Sequence, residues 1–193
     1  MKTEKEIIDD LKPFLENLPI KIVAQTPCYR NEKAAAGKDT RGIKRVHQFE
    51  KVELYQFVEP EKSSETLESM LETCTELCKD LGLTYRIKLL CTGDLGFCSN
   101  KTYDIEVWSP GSKEWLEVSS VSNCTDFQSR RANIKYKKSS KSKTENLHTL
   151  NGSGLALPRI IIAILESFQN KDGHINIPEI LWPYTGFKEI TGD

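Results

Sequence analysis

The chain has 193 residues, 38% of them hydrophobic and 28% charged, enough for one buried core and ordinary for a globular domain. A formal net charge of −1 excludes a uniformly basic nucleic-acid binder, although a local basic patch stays open. No apolar run approaches the roughly 18 residues of a membrane helix. The charged opening Met1–Leu11 has no apolar core of a secretory signal, so a cytoplasmic, membrane-free setting is expected.

Residues 3–17 carry a helical pattern (Ile7, Ile8, Leu11, Phe14, Leu15) that stops at Leu18-Pro19. Residues 20–32 alternate as a strand, with Ile22, Ala24, Thr26, Cys28, Arg30 and Glu32 on one face. An Ala/Gly/Lys-rich loop over 33–44 leads to a second strand, 46–58, which places Phe49, Lys51, Glu53, Tyr55 and Phe57 together. The short connection predicts an antiparallel hairpin. Residues 64–81 give the clearest amphipathic helix, with Leu67, Met70, Leu71, Cys74, Leu77, Cys78 and Leu81 as its stripe and Gly82 as its stop. Strands are predicted over 84–90, 102–108 and 114–121, and a helix over 125–136, capped by Asn123 or Thr125.

A Lys/Ser run over 135–143 reads as a solvated loop. After a short strand, 146–150, Gly152-Ser-Gly154 reads as a turn into an apolar helix over 155–169, followed by a short strand at 175–177. The order is hairpin, helix, antiparallel strands, buried helix, which is α+β rather than alternating βαβ. Six cysteines (28, 74, 78, 91, 98, 124) have no metal-site spacing and are expected as reduced, mostly buried thiols. His47 and His148 are expected to be structural, and His174 exposed.

Arg30 and Glu32, about 7 Å apart on one strand face, can form with Phe49 and Glu53 a platform of cation, carboxylate and ring. Such a set suits phosphate, a stacked base and an amine or metal, but spacing alone favours a solvated face with cross-strand ion pairs.

Longer matches weigh on that choice. Pro27-Cys-Tyr-Arg-Asn-Glu32, then Gly37-Lys-Asp-Thr-Arg-Gly42 and Arg45-Val-His-Gln-Phe-Glu-Lys-Val-Glu53, resemble motif 2 of seryl-tRNA synthetases. Asp104-Ile-Glu-Val-Trp108 and Glu117-Val-Ser-Ser-Val-Ser-Asn123 resemble that family's metal-binding strands. His148-Thr-Leu-Asn-Gly-Ser-Gly-Leu-Ala156 through Arg159 resembles its motif 3, and Ile177-Pro-Glu-Ile-Leu-Trp-Pro-Tyr184 its ending. The resemblance covers nearly the whole chain from Leu18 onward. It implies a partial class II synthetase core over 1–193, an antiparallel sheet flanked by helices. Within it stand a motif 2 hairpin (18–58), an amphipathic helix (63–82), metal-binding strands (102–121) and motif 3 (146–169).

The resemblance also implies roles. Arg30 would hold the ATP α-phosphate and the serine carboxylate, and Glu32 would contact the adenine amino group. Phe49, with Val46 nearby, would hold the ring, while Arg45 and Arg159 would meet the γ-phosphate. Glu53, Asn151 and Ser153 would form the serine pocket, and Glu117, supported by Ser120, would ligate Mg²⁺. Simple alternation sends Glu117 and Ser120 to opposite faces, so joint action requires a bulge between them.

The implied activity is ATP-dependent formation of seryl-adenylate and transfer to tRNA(Ser), in a family that works as a homodimer. The family's helical tRNA-gripping arm, motif 1 and Thr-x-Glu loop have no match here, so a fragment or shortened form with weak or absent turnover in isolation is expected. A non-catalytic ATP- or serine-binding module, and a paralogue charging a non-tRNA carrier, stay open as alternatives.

Overall fold

The computed structural model describes residues 18–31, 42–138 and 141–192. The helix expected over 3–17, Glu32 and most of the 33–44 loop lie outside the described residues.

Strands β1 (Ile20–Tyr29) and β2 (Gln48–Val58) form the expected antiparallel hairpin, with Ala24 opposite Glu53 and Cys28 opposite Phe49. Helix α1 (Ser63–Asp80) buries Leu67, Met70, Leu71, Cys74 and Cys78, each worth about 1.5–3 kcal/mol when the side chain is a full-sized aliphatic. Its stripe is narrower than predicted: Leu77 is 38% exposed and Thr75 is buried in its stead. Gly82, at φ +68°, ends the helix in a paired cap in which Leu83 N–H reaches Cys78 O (3.0 Å) and Gly82 N–H reaches Lys79 O (2.8 Å).

Strands β3 (Tyr85–Leu89), β4 (Lys101–Ser109) and β5 (Glu114–Asn123) follow as a meander. The short helix α2 (Phe127–Ala132) stops well before residue 136. Asn133 turns left-handed at φ 54°, and Asn123 caps the preceding Thr125 amide (2.9 Å) rather than the helix itself. Part of the Lys/Ser run is ordered: β6 (Lys135–Tyr136) pairs with β7 (Glu145–Asn146), and Lys138 bonds Glu61 at 2.5 Å.

The largest departure concerns Gly152-Ser-Gly154. Strand β8 (His148–Ala156) continues through these residues, with a register shift against β2 between Ser153 and Ala156, and occupies the sheet's interior between β2 and β5. Gly152 serves close approach, since a Cβ there would stand 3.2 Å from both Val121 methyls, whereas one on Gly154 would make ordinary contact with Leu54 at 3.5 Å. Helix α3 (Leu157–Ser167) follows with Pro158 harmless in its first turn, burying Ile160, Ala163 and Ile164. Strand β9 (Ile175–Asn176), the single-turn helix α4 (Trp182–Thr185) and β10 (Glu189–Ile190) close the described chain; β9 pairs with β10, and His174 meets Glu189 at 3.3 Å.

The main sheet has the order β1-β2-β8-β5-β4-β3, antiparallel throughout. One face packs on α1 and α3 in a core of Leu54, Ile105, Val107, Val118, Val121 and Leu150 with the helix residues. Alternation sends Lys51, Glu53, Asn151, Ser153, Ser120 and Asp104 to the other face. The architecture is α+β, an antiparallel sheet flanked by helices.

Candidate functional site

The bulge required by the motif reading is present. Pairing runs Asp104–Ser120 and Ile105–Ser119, then resumes at Glu106–Glu117, so Val118 is the extra residue on β5. Val118 is buried in the core, and the shift in parity brings Glu117 and Ser120 onto the same face, opposite Glu106 and Asp104.

A cavity of about 170 Å³ opens on this face, lined by Arg30, Arg45, Val46, Phe49, Lys51, Glu117, Ser120, Ser153 and Arg159 among others. The Arg30 guanidinium lies 5.0 Å from the centre of the Phe49 ring. The hairpin holds it there: Arg30 N–H donates to His47 O (2.9 Å), and His47 Nδ1 lies 3.2 Å from Arg30 O. On the far wall Arg159, from the first turn of α3, donates through a terminal nitrogen to Glu117 O (2.7 Å) and through Nε to Lys44 O (3.3 Å). One guanidinium thus ties α3, β5 and the segment entering β2. Its approach to the Glu117 carboxylate is looser, 4.0 Å.

The Glu117 side chain is half exposed, yet desolvation by the surrounding strands raises its pKa. Nearby Asp104 raises it further, and Arg159 and Arg30 pull it back. Toward the centre of the sheet, Ser153 Oγ donates to Glu53 Oε2 (3.1 Å), which also meets Lys51 Nζ at 3.2 Å. The Ser153 carbonyl is fixed from the helix side by Ser119 Oγ (2.5 Å) and Cys74 Sγ (3.4 Å). Asn151, one alternation from Ser153, donates to Cys124 Sγ at 3.6 Å.

The structure therefore brings Arg30, Arg45, Val46, Phe49, Glu117, Ser120, Ser153 and Arg159 to one cavity. Glu53 joins it through Ser153, and Asn151 stands outside its lining. Lys51, Ser119 and Cys74 are site neighbours that motif reading passed over; Lys51 was legible as one alternation from Glu53, whereas Ser119 and Cys74 carry no sequence signal. His148, whose Nδ1 lies 2.9 Å from Ser63 Oγ, and His47 both bind structural groups. Cys74, Cys78 and Cys124 are buried free thiols, pushed up to about 11, 12 and 11 by desolvation.

Among the described residues no group of three or more His, Cys, Asp or Glu side chains is arranged to hold a metal alone. Glu117 and Ser120 nonetheless offer two hard oxygens on one face, with a further carboxylate at Asp104 behind them. That set fits Mg²⁺, a cation usually held by one or two carboxylates together with substrate phosphates.

Residues 4–168 match the family model described as tRNA synthetase class II core domain (G, H, P, S and T). The chain belongs to the class II tRNA synthetase core family. This class II core is 60% identical over 175 residues to a serine–tRNA ligase of Chloroflexus aurantiacus, a match covering 91% of this chain and 41% of that protein. It superposes on the seryl-tRNA synthetase from Pyrococcus horikoshii complexed with ATP at a TM-score of 0.90 and 47% identity, over 93% of this chain and 40% of that one. The cytoplasmic serine–tRNA ligase from Naegleria fowleri in complex with AMP superposes at 0.86 and 40% identity, over 92% of this chain and 42% of that one. The class II core described here thus spans about two fifths of the length of the relatives it matches. No helix among its described residues is long and apolar enough to cross a membrane.

Proposed function

We propose that this chain supplies the ATP- and serine-binding face of a serine–tRNA ligase, which makes seryl-adenylate and transfers serine to tRNA(Ser). The observation that carries the reading is the convergence of Arg30, Phe49, Glu117 and Arg159 on one cavity, continuous with the Ser153–Glu53 pair. The relatives of known structure were solved with ATP and with AMP, which supports a nucleotide in this cavity.

In this reading the adenine stacks on Phe49, with Val46 beside it and Glu32 at its amino group. Arg30 sits between the α-phosphate and the serine carboxylate and neutralises charge as that carboxylate attacks phosphorus and pyrophosphate leaves. Arg45 and Arg159 hold the γ-phosphate. The catalysis is positioning and charge neutralisation, with no protein nucleophile.

Glu53 and Ser153 receive the serine ammonium and hydroxyl, with Asn151 behind them. A substrate without the hydroxyl leaves the buried Ser153 without that partner, which is the basis of selectivity. Glu117 and Ser120 hold Mg²⁺, which when bound offsets phosphate charge. The working unit is a cytoplasmic dimer, as in the full-length family.

The test is calorimetric binding of a non-hydrolysable seryl-sulfamoyl adenosine and of its alanyl counterpart. The seryl compound is expected to bind at least about tenfold tighter, a difference of about 1.4 kcal/mol. Equal affinities would remove serine from the reading. Serine-dependent ATP–pyrophosphate exchange then separates the alternatives. Exchange without transfer to tRNA points to a carrier substrate, and ATP binding without exchange points to a non-catalytic module.

A further inference from the structure

Helix α3 makes a charged contact with the β4–β5 hairpin near each of its ends. At its start Arg159 donates to Glu117 O, and two turns later Glu166 reaches the turn that joins the two strands. A spacing of two turns puts both side chains on one side of the helix, about 10 Å apart along its axis. The half-buried Glu166 carboxylate is met by four donors. Ser109 Oγ, Gly111 N–H (3.0 Å) and Ser112 N–H (3.4 Å) all reach Oε2, and Ser112 Oγ reaches Oε1 (3.3 Å). The turn is shaped around this group: a Cβ on Gly111 would stand 2.9 Å from the Glu166 carboxyl carbon and 3.1 and 3.2 Å from its oxygens. Desolvation raises the Glu166 pKa, but the bonds from Ser109, Ser112 and Gly111 outweigh it and hold the group below its ordinary value. Glu114, just past the same turn, pairs with Lys44, whose carbonyl Arg159 also contacts.

We propose that Glu166 is a positioning residue for Arg159: clasped by the β4–β5 turn, it holds the register of α3 against β5 that aims the Arg159 guanidinium at the nucleotide cavity. The proposal rests on the reading that Arg159 meets the γ-phosphate. Ile160, Ala163 and Ile164 bury the inner face of α3, but apolar burial is non-directional and constrains the helix's rotation and slide less than aimed hydrogen bonds do. Glu166 does not line the cavity, so it acts through the helix and not on substrate. Phe49 and Arg30 stand on the β1–β2 hairpin, away from this contact. Loss of Glu166 therefore falls on the phosphate tail and spares the nucleoside.

The experiment is isothermal titration of ATP and of AMP, each with Mg²⁺, into this chain and its variants. Glu166→Ala is expected to weaken ATP by about tenfold, as for one misdirected charged hydrogen bond, and AMP by less than about twofold. In the Arg159→Ala background the same change is expected to have almost no further effect on ATP. Glu166→Gln is expected to stay within about twofold of the parent, because one amide oxygen can still take the three donors now at Oε2. Gly111→Ala, whose Cβ displaces the carboxylate, carries the same expectation as Glu166→Ala should that variant fail to fold. A merely structural contact would weaken ATP and AMP alike, and that result overturns the proposal. So does Glu166→Gln losing as much ATP affinity as Glu166→Ala. Parent-like ATP affinity in Glu166→Ala and Gly111→Ala, with Arg159→Ala losing it, also overturns the role of Glu166 and leaves that of Arg159 standing. A folded parent that does not bind ATP, or an Arg159→Ala variant that keeps the parent's preference for ATP over AMP, defeats the γ-phosphate reading and this inference with it.

Discussion

Arg159 meets Glu117 in two ways, and their relative weight can be measured. The ion pair spans 4.0 Å with the Glu117 side chain half exposed and Arg159 about a quarter exposed. In that setting it contributes between zero and about 1 kcal/mol. The carbonyl contacts are of another kind: a charged donor lies 2.7 Å from Glu117 O, and a second, longer one 3.3 Å from Lys44 O. Hydrogen bonds from charged groups are worth about 1.5–3 kcal/mol each at good geometry, and less at 3.3 Å.

Arg159→Ala is therefore expected to cost about 2–3 kcal/mol. Glu117→Gln is expected to be neutral or slightly stabilising, because desolvation and Asp104 already disfavour the charged form. Urea denaturation of both variants at pH 7 reads the difference directly. A large loss in Glu117→Gln with a small one in Arg159→Ala would refute the reasoning, since it would make the carboxylate and not the carbonyls the anchor.

Two further outcomes follow from the fold. Gly152→Ala should destabilise by about 1–2 kcal/mol, because its Cβ meets two Val121 methyls at 3.2 Å in the sheet interior, whereas Gly154→Ala, with ordinary contacts to Leu54, should be tolerated; equal melting midpoints for the pair would contradict the close-approach account. Burial lowers the pKa of His148, only partly offset by Asp126 and Glu61, so its folded value lies below its unfolded one. Stability is then complete above about pH 6.5 and declines as pH falls through that window. Urea midpoints between pH 7.5 and 5 should fall more steeply in the parent than in His148→Gln, and parallel curves would remove His148 from the explanation.

What the sequence made legible depended on whether the information was local. The α1 stripe, the β1–β2 hairpin and the β3–β5 meander follow from periodicity and turn residues, and they form within a few residues of expectation. The Gly152-Ser-Gly154 segment reads as a turn because the feature that demands glycine at 152, the Val121 side chain on the neighbouring strand, is 31 positions away in sequence. The α2 helix ends short of residue 136 because Asn133 adopts a left-handed conformation that its helix-compatible neighbours do not announce. In the site, motif matching found the residues and simple alternation exposed the conflict between Glu117 and Ser120. Only the register could place the extra residue at Val118. Asp104 stands within a motif, but the burial of its Oδ1 without a hydrogen bond from any described residue is a property of packing.

The account turns on whether the cavity between Arg30, Phe49 and Arg159 takes ATP. Isothermal titration of ATP with Mg²⁺ into this chain and into Arg30→Ala tests that claim most directly. Saturable binding by the parent, weakened at least about tenfold (1.4 kcal/mol) in the variant, is the predicted result. No binding by a folded parent, or equal binding by the two, would contradict it.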